Sequence, residues 1–242
     1  MIFHSRGRKP MDLKIKINDG IITRVSNFKF LGLILNENLN WETHTKNIAH
    51  KISKGIGILT RLRHFLPQTT LLTLYHSLIT SHLINYVLIW GQDSNHIYKL
   101  QKKAIRVISK EHYLAHTAPL FKKHEILAVP NLFELSLLKF YYKYMHDQLP
   151  APLLEISINT NSHFHLYNTR NRHKLSTPSH RKSAFTKSIT YRLIPFINTL
   201  EANIKNKIKT HGYDNVIQRF KVLILNSYSV SCFIKDCYPC LK

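Results

Sequence analysis

Acidic residues are scarce in this 242-residue chain: 13 Asp and Glu stand against 35 Lys and Arg, a formal net charge of +22. No two carboxylates are adjacent anywhere, so the chain lacks the adjacent pair that typically helps hold two metal ions for phosphoryl transfer. Asp12 and Asp19 fall in a predicted hairpin, and Asp93, Asp147, Asp214 and Asp236 stand isolated at element ends. Cysteine is equally sparse, with Cys232, Cys237 and Cys240 all near the C-terminus. An odd, clustered set excludes a disulfide framework and fits a reducing compartment. Those three thiolates fall short of the four ligands of a structural zinc site, and His211 is distant in sequence. There is no Gly-rich phosphate loop followed by Lys-Ser/Thr, and no nucleophile-elbow pattern. The opening MIFHSRGRKP has no apolar stretch of signal-peptide length, so the expected location is intracellular, nuclear or cytoplasmic, rather than secreted. Residues 64–92 contain no charged side chain, yet Pro67, Gln68, His76, Ser77, Ser81, His82 and Asn85 interrupt the run. So many polar groups point to a buried central helix and not to a membrane span.

What is present is apolar enough to fold, at 44% hydrophobic residues. The cationic excess makes a polyanion, above all nucleic acid, the expected partner. Leu13, Ile15 and Ile17 alternate with Lys14 and Lys16, and Asp19-Gly20 is strong hairpin-turn chemistry. Ile21, Ile22 and Val25 form the returning arm. Phe28 to Leu35 is a dense apolar run, predicted as one strand buried on both faces and completing a three-stranded antiparallel sheet. Such a sheet needs a covering layer. Asn36-Glu37-Asn38 is a turn, and Asn40 is a candidate helix cap.

Helical periodicity dominates from Trp41 onward. Ile48, Ile52, Ile56, Leu59, Leu62 and Leu66 form one stripe, with Lys51, Lys54, Arg61 and Arg63 mainly off it. Gly55 and Gly57 mark a bend or a close helix crossing. A second helix, capped by Thr69 or Thr70, is predicted to run to Trp90 and to be central in its bundle. In the next, residues 95–110, an apolar side of Ile97, Leu100, Ala104, Val107 and Ile108 opposes Lys99, Lys102, Lys103, Arg106 and Lys110. No acid interrupts the cationic side, so its charge is available to a phosphate backbone; the alternative is an ordinary solvated face. Helical patterns follow at 119–127 and 131–147. The second is rich in tyrosine, which stacks bases or forms core. Leu149-Pro150-Ala151-Pro152 closes it. Residues 156–200 hold no acid, while Arg170, Arg172, Lys174, Arg181, Lys182, Lys187 and Arg192 accumulate, predicting a long basic arm. Helices are expected again at 196–208 and 216–228. The fold class is therefore α+β, mostly α: a hairpin region at 1–40, a helical bundle at 41–155 and a basic C-terminal extension at 156–242.

The ordered series FLGLILNENLNWETH, an amphipathic helix, LYHSLITSHLINYVLIWG and LQKKAIRVIS resembles the end of the polymerase region of non-LTR retrotransposon reverse transcriptases of the jockey-like LINE type. The resemblance spans most of the chain, and its specificity lies in the order of the segments. It implies a palm edge, a thumb and a post-thumb extension of an RNA-directed DNA polymerase. Thr169-Arg170 with Leu175, Pro178 and Tyr191-Arg192-Leu193-Ile194-Pro195 is similar to the extension. Phe30, Leu31 and Gly32 match the primer-grip region. The adjacent aspartates that hold Mg2+ in the intact family enzyme have no counterpart here, so the resemblance implies a fragment that grips a primer–template without extending it. The catalytic part, and the layer covering the sheet, are then expected upstream of Met1. The residues expected to contact nucleic acid are Lys99, Lys102, Lys103 and Arg106, with Lys51, Lys54, Arg170 and Arg172 behind them. A rival reading is a basic helical module bound to RNA or to an acidic protein; another is a degenerate product without a selected function.

Overall fold

A computed structural model of the chain describes residues 1–4, 13, 15–18, 20–156, 158–164, 167–177, 179 and 188–228. The cysteine cluster, Pro178, Arg181, Lys182 and Lys187, and the Met11, Asp12, Lys14 and Asp19 positions of the first hairpin lie outside the described residues. The class is the expected one, mostly α with a small antiparallel component.

Two separate two-stranded hairpins open the chain, not one three-stranded sheet. In the first, β1 (Lys16–Ile17) pairs with β2 (Gly20–Ile21). In the second, β3 (Asn27–Phe30) pairs with β4 (Leu33–Asn36), with Phe30 opposite Leu33. The run expected to be one strand thus folds back on itself. The reason is local: Leu31 and Gly32 both take positive φ, 47° and 90°, the two-residue turn that matches strand twist. Gly32 adopts it without cost, whereas Leu31 does so against its side chain. Both-face burial is also overturned. Phe28, Phe30 and Leu31 are 52%, 55% and 74% exposed, and of this run only Leu33 is buried.

α1 (Glu42–Leu62) carries the predicted stripe: Ile48, Ile52, Ile56 and Leu59 are buried. It starts at Trp41 with no side-chain cap, so Asn40 does not serve as one. Gly55 is the close crossing: a Cβ there would lie 3.3 Å from Ile79 and 3.4 Å from Leu78. Pro67 precedes α2 (Gln68–Tyr75), which passes through a π-helical turn, His76–Thr80, into α3 (Ser81–Ile84). The single helix expected to reach Trp90 breaks at Asn85, whose backbone is extended, and at left-handed Tyr86 (φ 55°). The short α4 (Val87–Trp90) then turns the chain, and Trp90 closes the break by donating Nε1–H to the Asn85 carbonyl at 2.8 Å.

α5 (Asn95–Ile108) packs alongside α1. α6 (Ala118–Lys123) and α7 (Val129–Met145) follow, and α7 is the hub of the C-terminal half. After α8 (Ala151–Leu154) and α9 (Asn161–Phe164) come α10 (Ile189–Thr199), α11 (Ala202–Thr210) and α12 (Tyr213–Ser227). The expected basic arm is therefore interrupted. Tyr191 to Pro195 lie inside α10, where Ile194 is buried and Leu193 and Ile197 pack with Leu137 and Phe140 of α7. α11 and α12 also pack on α7, and Ile204, Val216, Phe220, Ile224 and Tyr228 join the same core as α1, α2 and α5. The core runs without a break across residues 155–156.

Buried polar groups knit this core. Gln101, fully buried, donates to the Tyr75 hydroxyl at 3.0 Å and to the Leu127 carbonyl at 2.9 Å, and accepts from the Val129 N–H at 2.9 Å. Tyr228 accepts from the Ala128 N–H at 2.8 Å and donates to Asn131 at 2.9 Å. Burial pushes the Tyr75 phenol up to about 12, and that of Tyr228 well above the usual range. Among the described residues no helix is long and apolar enough to cross a membrane.

Candidate nucleic-acid interface

The packing of α1 against α5 leaves a surface cleft of about 330 Å³ lined by Ser53, Ile56, Gly57, Thr60, Arg61, Leu100 and Lys103. Gly57 opens its floor, since nothing would lie within 4 Å of a Cβ there. Arg61 from α1 and Lys103 from α5 bring two exposed cations to one groove, and exposed Lys99 sits one turn before Lys103 on the same helix face. Among the described residues none of Arg61, Lys99 and Lys103 has a carboxylate partner. Among the described residues, carboxylate pairs lie instead near the hairpins: Arg24–Glu37 at 2.6 Å, His4–Glu37 at 3.5 Å and Lys46–Glu42 at 2.8 Å.

The four α5 cations do not share one face. Lys103 lines the cleft with α1 and Lys99 is exposed one turn earlier, whereas Lys102 is buried at 5% exposure, its Nζ 5.2 Å from the centre of the Tyr98 ring. Arg106 is half-buried and donates from Nε to the Ala115 carbonyl at 2.7 Å, holding the 109–117 loop. The correction comes from the stripe: the core-facing side is Ile97, Tyr98, Gln101, Ala104, Ile105 and Ile108, with Leu100 only partly covered. Gln101 fits that stripe at i+4 from Ile97, and reading its amide as core would have rotated the face correctly.

Lys51 and Lys54 are exposed on α1, and Lys51 lies close enough to His44 and His82 to help lower their pKa values, behind burial as the main cause. Arg170 and Arg172 are exposed in a turn held by Asn161–Lys174 and Ser162–Arg172 backbone bonds, and no described contact joins that turn to the α1–α5 cleft. Phe30, Leu31 and Gly32 form the exposed tip of the second hairpin. That tip is fastened to the bundle by the Tyr86 hydroxyl, which donates to the Leu31 carbonyl at 2.8 Å, and by the Ile34 N–H, which donates to His44 Nδ1 at 3.2 Å. His44 is buried, and its Nε2 has no hydrogen-bond partner among the described residues.

The tyrosines of α7 turn out to tie elements together. Tyr142 is buried and bonds the His211 carbonyl at 3.0 Å, and Tyr144 bonds that of Ile156 at 2.8 Å. Among the described residues no group of three His, Cys, Asp or Glu side chains could hold a metal ion. Arg61 and Gly57 were visible in the sequence only as an off-stripe cation and a bend or crossing signal, not as parts of a binding site, and Ser53 and Thr60 were not singled out at all. All four lie on α1, and their place in the cleft comes from a partner helix distant in sequence.

These features define a basic, mostly helical α+β protein with a cationic cleft between α1 and α5. Comparison with known proteins returns no matching family model, no similar curated protein and no similar solved structure.

Proposed function

We propose that the chain binds nucleic acid through the α1–α5 face of its helical bundle, and that it corresponds to the palm-edge and thumb part of a non-LTR retrotransposon reverse transcriptase, without that enzyme's catalytic carboxylates. The observation that supports this best is the meeting of Arg61 and Lys103 in one cleft, with Lys99 one turn earlier on α5, none with a carboxylate partner among the described residues. Cations in such a row neutralise phosphates and release counterions. The molecule-wide charge of +22 adds a field that draws a polyanion in. The polymerase side of the reading rests on the ordered series of sequence segments. Mg2+ belongs to the intact family enzyme, and no residue of this chain is assigned to it. A second reading, docking of a protein partner, is favoured by the exposed Phe28, Phe30 and Leu31 on the hairpin.

The test is binding of a primer–template hybrid across a salt series, comparing wild type with an R61A/K99A/K103A variant and with R170A/R172A. The cleft variant should bind more weakly, with a salt slope shallower by about two to three phosphate contacts, each worth a slope of about 0.7–0.9. Equal slopes for wild type and the cleft variant defeat the assignment. A loss confined to R170A/R172A moves the contact surface to the C-terminal turn.

A further inference from the structure

A second pocket, of about 210 Å³, opens where α7, α10 and α11 meet the turn that carries Arg170 and Arg172, and it shares no lining residue with the α1–α5 cleft. Tyr141 and Met145, one helical turn apart on the same side of α7, line it together with Leu175 and Ile208. Tyr142 and Tyr144 are tied to backbone carbonyls, but the hydroxyl of half-buried Tyr141 has no hydrogen-bond partner among the described residues. One wall is already built: Asn198 accepts from the Leu175 N–H at 2.9 Å and donates to the Leu175 carbonyl at 3.0 Å. Lys205 is taken up by the Asn198 carbonyl, at 3.3 Å. Lys209 and His173 also line the pocket, and neither side chain has a partner among the described residues. No carboxylate is among the lining residues, and residues 156–200 contain none. Arg170, Arg172 and Lys174 stand exposed on the turn that leads into Leu175.

We propose that this pocket receives one unstacked base of a single-stranded nucleic acid, with Tyr141 and Met145 against the base and Lys209 and the arginines of the turn at the adjoining phosphates. The proposal rests on the nucleic-acid reading above and adds the form of the ligand: a single strand, such as the overhanging template of a primer–template. The chemistry of the lining chooses this occupant. The pocket is largely apolar, with cations beside it, and a nucleotide unit is a flat π face joined to an anion. Tyr141 and His173 bring a hydroxyl and an imidazole with no other partner, groups that hydrogen-bond the edge of a splayed-out base. Its size chooses too. At about 210 Å³ it is smaller than the range of about 300–1,000 Å³ that encloses a whole drug-sized ligand, so it takes one ring system and leaves the sugar–phosphate outside. A base inside a duplex reaches such a recess only by unpairing and unstacking, which a single strand avoids. The Asn198–Leu175 bonds hold the wall in place beforehand, which lowers the ordering cost of binding.

The experiment irradiates the full wild-type chain with a single-stranded 12-mer carrying 5-iodouracil, and maps the cross-linked residues by mass spectrometry. The same label is also supplied in a 12-bp duplex and as free 5-iodouridine monophosphate. Cross-links are expected at Tyr141, Met145 or His173 with the single strand and not with the duplex. In affinity measurements Tyr141→Ala should weaken the 12-mer by about five- to a hundredfold and leave an abasic 12-mer of equal charge unchanged. Lys209→Ala should weaken both. Cross-links confined to α1 and α5 on a bound strand overturn the pocket while the wider nucleic-acid reading stands. Pocket cross-links with the free nucleotide but not with the strand make the ligand a mononucleotide and overturn the strand assignment. If the 12-mer does not bind but the duplex does, the pocket is again wrong and the wider reading stands. If neither binds, both fall.

Discussion

The second hairpin and the helical bundle are built from equally apolar sequence, and they end up in opposite environments. Phe28, Phe30 and Leu31 are more than half exposed, whereas Trp90, Tyr75, Ile52, Leu59 and Ile105 are fully buried. The hairpin is fastened to the bundle by Leu33, by partly buried Leu35 and by two hydrogen bonds, from Tyr86 and to His44. The bundle is held by one continuous core that reaches from Leu33 to Tyr228. Stability therefore resides in the bundle, and the hairpin is the part that opens locally at lowest cost.

The sharpest way to break this comparison is to remove matching aromatics from each side. Trp90→Ala should lower stability by about 3–5 kcal/mol, because its indole fills a fully buried site and its Nε1–H closes the Asn85 break. Phe28→Ala and Phe30→Ala should stay within about 0.5 kcal/mol of wild type. Urea midpoints measured at constant slope give both numbers. Equal losses would mean that the hairpin is packed as tightly as the core.

Next in size is Gln101→Leu. It strands the Val129 N–H and the Leu127 carbonyl, and should cost about 2–4 kcal/mol in the same unfolding measurement. A neutral result would show that the amide is dispensable packing.

A smaller effect is expected on the hairpin's fastening. Tyr86→Phe removes the bond to the Leu31 carbonyl, so amide exchange of residues 27–36 should speed up by an amount equivalent to about 0.5–1.5 kcal/mol, with α1 and α5 unchanged. Exchange that rises equally in the helices would show that hairpin and bundle open together.

The last effect is a pH dependence. Burial, and then Lys51, depress the His44 pKa below 6.5, so the unfolded state binds the proton more readily than the folded one. The stabilisation is complete above about pH 6.5 and fades as pH falls through that value toward the depressed pKa. His82, His116 and His124 are lowered too, each chiefly by burial, and act in the same direction. Protonated His44 also loses the lone pair that accepts the Ile34 N–H, so hairpin amides should be less protected at pH 5.5 than at 7.5. In His44→Ala that additional hairpin effect should vanish.

Helices whose stripe has a simple period were readable from sequence: α1, α5, α7 and α12 lie close to where periodicity places them. Elements decided by backbone conformation were not. Leu31 takes a left-handed φ that its side chain disfavours, and it turns an expected strand into a hairpin. Tyr86 does the same to a helix pattern that runs unbroken through Val87 to Trp90. The two left-handed residues are joined by the Tyr86–Leu31 bond, a contact between positions 55 apart that no local pattern announces. The cationic site was half legible. The residue types were visible, but Lys102 and Lys103, adjacent in sequence, point to different neighbours, and Arg61 joins Lys103 only because α1 packs alongside α5.

The most direct measurement is hydrogen exchange along the whole chain with and without a primer–template hybrid. The account predicts slower exchange in α1 around 53–61 and in α5 around 99–106, with the hairpin at 27–36 unchanged. Protection confined to the hairpin tip, or absent from the chain although the hybrid is bound, would contradict it.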